Sequence, residues 1–177
     1  MNDRSGKESS SARPASPLRE AVRARFYPFA AAQGFVRAKS AHPHFAVFRR
    51  STQSTIHVFE LQWDKYHRQC FVVNFGDAPI SGVTVHGTHV PAANIETYQC
   101  TNHGQLKPRG CPYVRCWFRE KKPLLQVLTS GQRRYQPDEV VDQLIALFPE
   151  LDAWWTRRDR GSHLSLLRIA APVTQAT

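Results

Sequence analysis

Residues 55–63 (TIHVFELQW) and residues 69–76 (QCFVVNFG) decide the fold of this chain. Both runs are rich in the β-branched and aromatic side chains typical of strands, and a short polar connection separates them. They therefore predict neighbouring strands of an antiparallel sheet. Residues 45–50 and 81–90 are further strand candidates with short polar turns between them, which is typical of a meander of hairpins.

Helices are predicted on both sides of this β region. Ser16 and Pro17 form a favourable helix start, since Ser caps free N–H groups and Pro suits the first helical position. Pro28 should kink this helix or split off its last turn. A second helix is predicted from Pro137, and Pro149 should restart the chain into a short helix. The apolar stripes are Leu18, Val22, Phe26 and Phe29 in the first helix and Val140, Val141, Leu144, Leu147 and Phe148 in the second.

The order of these elements predicts an α+β fold. We expect a twisted antiparallel sheet of about five strands, with N- and C-terminal helices packed on one face. The polar residues 94–110 are predicted to be a loop. We expect a disordered tail at residues 1–15, a single α+β domain at 16–160, and a C-terminal tail or edge segment at 161–177.

Length and composition limit the class of protein. The chain has 177 residues, 41% of them hydrophobic, which suits one core better than two. No apolar stretch approaches the ~20 residues of a membrane helix, and the N-terminus lacks the apolar region of a secretory signal. Four cysteines in a chain of this length do not form a disulfide scaffold. We therefore expect a cytoplasmic protein with no membrane partner.

Charge is polarised along the chain. The formal net charge is +10, yet residues 136–152 hold five acids and no Lys or Arg. Residues 103–135 hold eight Lys and Arg residues and a single acid, Glu120. This distribution predicts a basic face and an acidic face. A basic balance suits nucleic acid, an anionic surface or an acidic protein partner, although ordinary solubilising charge also accounts for unpaired arginines.

Five short segments carry a family resemblance: QGFVR at 33–37, FAVFR at 45–49, FELQ at 59–62, FVVNFG at 71–76 and CPYVRC at 111–116. Their order after the first helix resembles the bacterial domain-of-unknown-function family numbered 4304. The resemblance covers roughly residues 18–155. It implies no assigned activity and no catalytic residues. Some families of this small single-domain type are immunity proteins against contact-delivered toxins, so the resemblance implies a binding function.

The candidate metal ligands are Cys100, His103, Cys111 and Cys116. Four soft or borderline ligands within seventeen positions can make a tetrahedral zinc site, although the spacing matches no standard zinc finger. The alternative is that the cysteines are buried thiols, since free Cys is among the most buried residue types. We favour buried thiols, and we expect no cofactor.

Glu60 and Gln62 point to one face of the best-defined strand. A metal-dependent nuclease carries such groups on a sheet, but it needs a further acidic ligand earlier in the chain. The simpler alternative is that both side chains line the sheet near water or bond a helix end.

The alternation of residues 113–119 (YVRCWFR) points to a binding surface. Val114, Cys116 and Phe118 face one way. Interleaved aromatic and arginine side chains on the other face suit planar stacking and bidentate contacts with nucleic acid or protein. The alternative is an outer strand face on which arginine stems cover Trp. The predicted binding residues are Tyr113, Arg115, Trp117 and Arg119.

The sequence favours a non-catalytic binding protein over an enzyme. The first hypothesis is an immunity-like or antitoxin-like protein that binds and blocks a partner protein, such as a toxin encoded nearby. The alternative is a nucleic-acid-binding module, favoured by the charge and opposed by the absence of a known nucleic-acid motif. A metal-dependent hydrolase or nuclease is the third hypothesis.

Overall fold

The computed structural model describes residues 16–40, 42–111, 116–121, 127–129, 131 and 134–168. The expected tail at residues 1–15 lies outside these residues. The helices include α1 (Pro17–Ala21), a π-helical turn (Val22–Phe26), α2 (Tyr27–Ala32) and α3 (Pro137–Arg157). The strands are β1 (Val36–Ala38), β2 (Phe45–Ser51), β3 (Thr55–Trp63), β4 (Cys70–Pro79), β5 (Val83–Val85), β6 (Thr88–Val90), β7 (Asn102–Leu106), β8 (Phe118–Arg119) and β9 (Leu164–Arg168).

The fold is α+β, as predicted, with a seven-stranded antiparallel sheet. The strand order is β1-β2-β3-β4-β7-β9, and β8 also pairs with β4. Strands β3 and β4 pair from Thr55 opposite Pro79 to Trp63 opposite Phe71, so the two runs that decide the fold are adjacent central strands. Strands β5 and β6 form a separate hairpin.

Strand β7 lies where the sequence predicted a loop, so that prediction was wrong. It pairs with the central strand β4, with Gln105 opposite Asn74 and Gly104 opposite Phe75. The strand shows no clear apolar alternation because His103 and Gln105 on one face are polar, and Gly104 leaves a gap in the row of side chains on the other face. A Cβ at Gly104 would lie 2.9 Å from Cζ of Phe75 and 2.5 Å from the carbonyl oxygen of Ser165. Glycine therefore permits the close approach of β9 and of the Phe75 ring.

The main core lies between the helices and one face of the sheet, as expected. Phe59 is fully buried at its centre and makes edge contacts with Phe26, Phe35 and Phe148, whose ring centroids lie 4.9–5.8 Å away. Aromatic pairs at this separation stabilise a core beyond their burial alone. The indole N–H of Trp155 donates to the carbonyl oxygen of Gly76 at 3.0 Å, which ties α3 to β4.

Pro149 acts differently from the expectation, whereas the helix that contains Pro28 is divided into α1, a π-helical turn and α2. Before Pro28 the helix widens into the π-helical turn, where the N–H of Tyr27 donates to the carbonyl of Val22, and the chain remains helical. Pro149 lies inside α3, which runs unbroken to Arg157. Pro149 removes only one helical hydrogen bond, and burial of Phe148, Leu151, Trp154 and Trp155 around it offsets that loss.

A smaller core covers part of the sheet face that points away from the helices. We call this side the open face. Val47, Ile56, Val58 and Ala78 of β2–β4 pack there against Ile95 and Cys100 of the connection between β6 and β7. At the sheet edge, residues 164–168 form β9 beside β7. No helix among the described residues is long and apolar enough to cross a membrane.

Candidate functional site

Strand β8 positions the two described members of the predicted binding surface. Phe118 is fully buried and stacks on Phe71 of β4, with ring centroids 5.3 Å apart. Because side chains alternate along a strand, the neighbours Trp117 and Arg119 turn to the open face. Tyr113 and Arg115 lie outside the described residues, so their placement stays a prediction.

Trp117 and Arg119 line a cleft of about 660 Å³. We call it the basic cleft, because its other lining residues carry three more bases and one acid. Trp117 is half-buried and supplies an indole surface, whereas the side chain of Arg119 is exposed. The remaining lining residues are Arg68, Gln69, Cys70, Glu120, Lys121 and Arg134.

Two cations of the basic cleft are held opposite each other by the backbone. Lys121 and Arg134 pair across an isolated antiparallel bridge, and the N–H of Tyr135 donates to the carbonyl of Glu120 beside it. Like charges at directly opposite positions repel, with side chains beginning about 5 Å apart. An anion bound between them would relieve that repulsion, so the cleft is suited to a carboxylate or a phosphate.

Arg68 reaches the cleft from the turn between β3 and β4. Its guanidinium group lies 2.5 Å from the buried carboxylate of Asp64, which also accepts the N–H groups of Tyr66 and Arg68. The side-chain hydrogen bond from Arg68 lowers the pKa of Asp64 to about 2. The carboxylate therefore stays charged and fixes the turn that presents Arg68.

The candidate zinc ligands are not assembled as a set. Cys111 and Cys116 pair with each other as a disulfide, with Cα atoms 6.4 Å apart, which corrects the expectation that both are buried thiols. Cys100 is a buried free thiol in the smaller core, and burial raises its pKa well above the ordinary value. His103 lies on β7 opposite Gly76. Among the described residues, no three His, Cys, Asp or Glu side chains form a group that could hold a metal.

Glu60 and Gln62 meet a polar network on the open face. Asn74 of β4 donates from Nδ2 to Oε1 of Glu60 at 2.8 Å and to Oε1 of Gln62 at 3.1 Å. Nε2 of Gln105 on β7 donates to Oδ1 of Asn74 at 2.7 Å. This polar row crosses three adjacent strands, and cavities of about 350 and 320 Å³ lie along it.

Sequence reasoning missed Asn74 and Gln105 as site residues. Asn74 interrupts the apolar run of β4, which is a detectable signal for a functional side chain in a central strand. Gln105 was hidden by the assignment of its segment to a loop. Their meeting depends on the register of β7, which the sequence did not predict.

Comparison with known proteins gives one match. The model of a family described as "Domain of unknown function (DUF4304)" matches residues 26–158. No curated protein and no solved structure matches the chain. The match spans α2, α3, β1–β8 and the lining residues of the basic cleft.

Proposed function

The chain belongs to the DUF4304 family, and we propose that it is a non-catalytic binding protein whose basic cleft holds an acidic segment of a partner protein. The partner is blocked by occlusion, in the manner of immunity and antitoxin-like proteins. The observation that carries the proposal is the placement of Trp117 and Arg119 together with Arg68, Lys121 and Arg134 around one cleft.

The chemistry of the cleft supports a protein partner. Trp and Arg are the residue types that most often dominate binding energy at protein interfaces. Arginine forks bind carboxylates through two parallel hydrogen bonds, and an indole supplies apolar contact at low entropic cost. A surface of this kind recognises an acidic peptide segment that carries an apolar or aromatic side chain.

The acids of the 136–152 segment do not neutralise this cleft, because they are bound elsewhere. Arg25 pairs with Asp138 and Asp142, and Arg50 pairs with Asp152 at 2.6 Å. Glu150 contacts His163, and Glu139 accepts the backbone N–H of Gln136 at the start of α3. These acids pair with other elements or cap their own helix, and Asp138, Asp142 and Asp152 keep 68, 60 and 42% of their side chains exposed on the surface. Of the cleft bases, Arg68 is paired with Asp64, whereas none of the five acids of this segment pairs with Arg119, Lys121 or Arg134.

The first test uses the product of the gene adjacent to the one that encodes this chain as the candidate partner. Trp117→Ala with Arg119→Ala should weaken binding by more than about 2 kcal/mol, because both side chains are predicted anchors. The free energy of unfolding should change far less, since Arg119 is exposed and Trp117 only half-buried. Isothermal titration calorimetry measures the first quantity, and urea denaturation measures the second.

The matched control is Val36→Ala with Lys39→Ala, which also removes one exposed apolar side chain and one exposed base. It should bind the partner like the wild-type protein. The proposal fails if the cleft variant binds as well as the control, or if the wild-type protein does not bind the neighbouring protein.

Nucleic-acid binding is the second candidate function, and the juxtaposition of Trp117 with four cations favours it. Proteins that bind single-stranded nucleic acid usually stack a nucleobase on an aromatic side chain and surround it with Lys and Arg side chains that bind phosphate. The probe is a single-stranded oligonucleotide. If this function holds, Arg119→Ala with Lys121→Ala should lower the slope of log affinity against log salt by roughly one to two units.

A further inference from the structure

The polar row on the open face ends in a hydrogen-bond acceptor that lacks a donor among the described residues. Gln105 is only 7% exposed, yet its Oε1 accepts no hydrogen bond from the described residues. Gln105 lines the same cavity as Glu60, Gln62 and Asn74. A buried carbonyl oxygen without a donor is unfavourable, so a donor from outside the chain would stabilise the site.

The orientation of each amide follows from the carboxylate. A charged Glu60 is acceptor-only, so Asn74 must turn its NH₂ group towards it, as the 2.8 Å contact shows. The oxygen of Asn74 then faces Gln105, which must donate from its own NH₂ group at 2.7 Å. The oxygen of Gln105 is therefore left as the free end of the row. At the other end, the Glu60 carboxylate already accepts from Asn74 and Thr97, and an ionised carboxylate has further lone pairs that can accept N–H donors.

The cavities along the row have the size and walls for a small ligand. The volumes are about 350 and 320 Å³, and Phe45, Glu60 and Tyr98 line both cavities. Phe45 and Tyr98 offer aromatic faces beside the carboxylate, which is the setting in which a cation is held by ring and charge together. Tyr98 is 64% exposed, so it lies at the solvent side of the site.

The charges around Glu60 favour a cation over an anion. Burial raises the pKa of Glu60, hydrogen bonds from Asn74 and Thr97 lower it, and the nearby carboxylate of Glu96 raises it because it adds a second negative charge to the site. Arg49 is the nearby base; its guanidinium group donates to the carbonyl oxygen of Ile95 at 2.8 and 3.2 Å, and its charge lowers the pKa of Glu60, which favours the ionised carboxylate that a cation needs. His42, His44 and His103 also line the cavities. A divalent metal lacks a ligand set among the described residues, because they hold no suitable group of three.

We propose that the Glu60–Asn74–Gln105 row is a binding site for a small organic cation bearing several N–H donors, a guanidinium or primary ammonium group. The carboxylate of Glu60 would accept from the charged head, and Oε1 of Gln105 would accept a further N–H. The site shares no lining residue with the basic cleft as described, and it does not depend on the proposed function. The cation comes either from a free amine or from an Arg or Lys side chain of a peptide.

The test uses methylguanidine and propylamine as probes, titrated into the full chain and followed by NMR. At least one probe should bind the wild-type protein and shift the side-chain amide signals of Gln62, Asn74 and Gln105. Glu60→Gln should weaken that binding about tenfold or more, because it removes the charge and keeps the acceptor for Asn74. The control Glu20→Gln removes an equal charge at an exposed position and should bind like the wild-type protein.

Two results would overturn the proposal: neither probe binds the wild-type protein, or Glu60→Gln binds as well as Glu20→Gln. The wild-type amide shifts decide the first point even if the variant fails to fold. A pentapeptide with a central Arg then separates the two sources of the cation. Tighter binding of the peptide than of methylguanidine assigns the site to a side chain, and equal or weaker binding assigns it to a free amine.

Discussion

Glu60 is a buried acid at the proposed cation site, and its burial is expected to lower the stability of the fold. Its side chain is buried in the middle of the sheet, where charge is unfavourable. Asn74 donates a hydrogen bond to it, and Gln105 donates in turn to Asn74. An apolar residue would pack more favourably at this position. Residues that reduce stability in this way are concentrated at functional sites.

Replacing Glu60 by Gln should therefore change the pH dependence of stability. The folded protein holds the Glu60 proton more strongly than the unfolded chain, because burial raises the pKa of this carboxyl. The resulting stabilisation is complete below the unfolded-state pKa of about 4.3 and is lost as the pH rises through the folded-state pKa. Relative to the wild-type protein, Glu60→Gln should be more stable near neutral pH and equal in stability at acidic pH.

Urea denaturation at a series of pH values measures this difference. Glu20→Gln serves as the control, since its side chain is exposed and should give a difference that is small at every pH. A Glu60→Gln variant that is less stable than the wild-type protein near neutral pH would mean that the ionised carboxylate stabilises the fold.

At the residue scale, the basic cleft and the Glu60–Asn74–Gln105 row differ in how far the sequence could predict them. Trp117 and Arg119 follow from the alternation around Phe118, which needs only local periodicity. The contact of Glu60 with Asn74 needs the pairing register of β3 and β4. The contact of Asn74 with Gln105 needs a strand that local periodicity does not reveal.

At the element scale, tertiary packing overrides local signals in α3 and β7. A proline inside a helix normally predicts an end, yet α3 continues because aromatic side chains on both sides of Pro149 enter the main core. Its last turn is fixed by Arg158, whose guanidinium group binds both carboxylate oxygens of the buried Asp77 at 2.7–2.9 Å. Long-range contacts of this kind cannot be read from a helical pattern.

Gly104→Ala tests the packing that makes β7 a strand. The added Cβ would lie 2.5 Å from the backbone of Ser165 and 2.9 Å from Phe75, so β9 or the ring must move. We expect a loss of about 1–3 kcal/mol in the free energy of unfolding, the usual range for overpacking. Gly131→Ala is the comparison, because a Cβ there meets nothing within 4 Å and only its positive φ is unfavourable. A Gly104→Ala variant as stable as the wild-type protein would contradict the close approach of β9 to β7.

At the scale of the whole molecule, the net charge can be counted from the sequence, whereas the positions of the unpaired charges on the surface depend on the fold. The five acids of residues 136–152 predicted an acidic face; the fold pairs or caps each of them and leaves Asp138 and Asp142 mostly exposed. None of the five neutralises Arg119, Lys121 or Arg134 of the basic cleft. Which charges remain free depends on contacts between elements far apart in the chain, such as Arg25 with Asp142 and Arg50 with Asp152.

The arrangement of charge can be separated from its amount by two variants of equal net charge. One variant changes Arg119, Lys121 and Arg134 of the basic cleft to Gln, and the other changes Arg23, Lys39 and Arg160, which are exposed elsewhere. If the cleft concentrates positive potential, the first variant should elute from a sulfonated cation-exchange resin at clearly lower salt than the second. Equal elution would mean that the resin senses only total charge. The cleft would then have no special attraction for an anionic partner, and the case for an acidic protein or a nucleic acid at Trp117 would be lost.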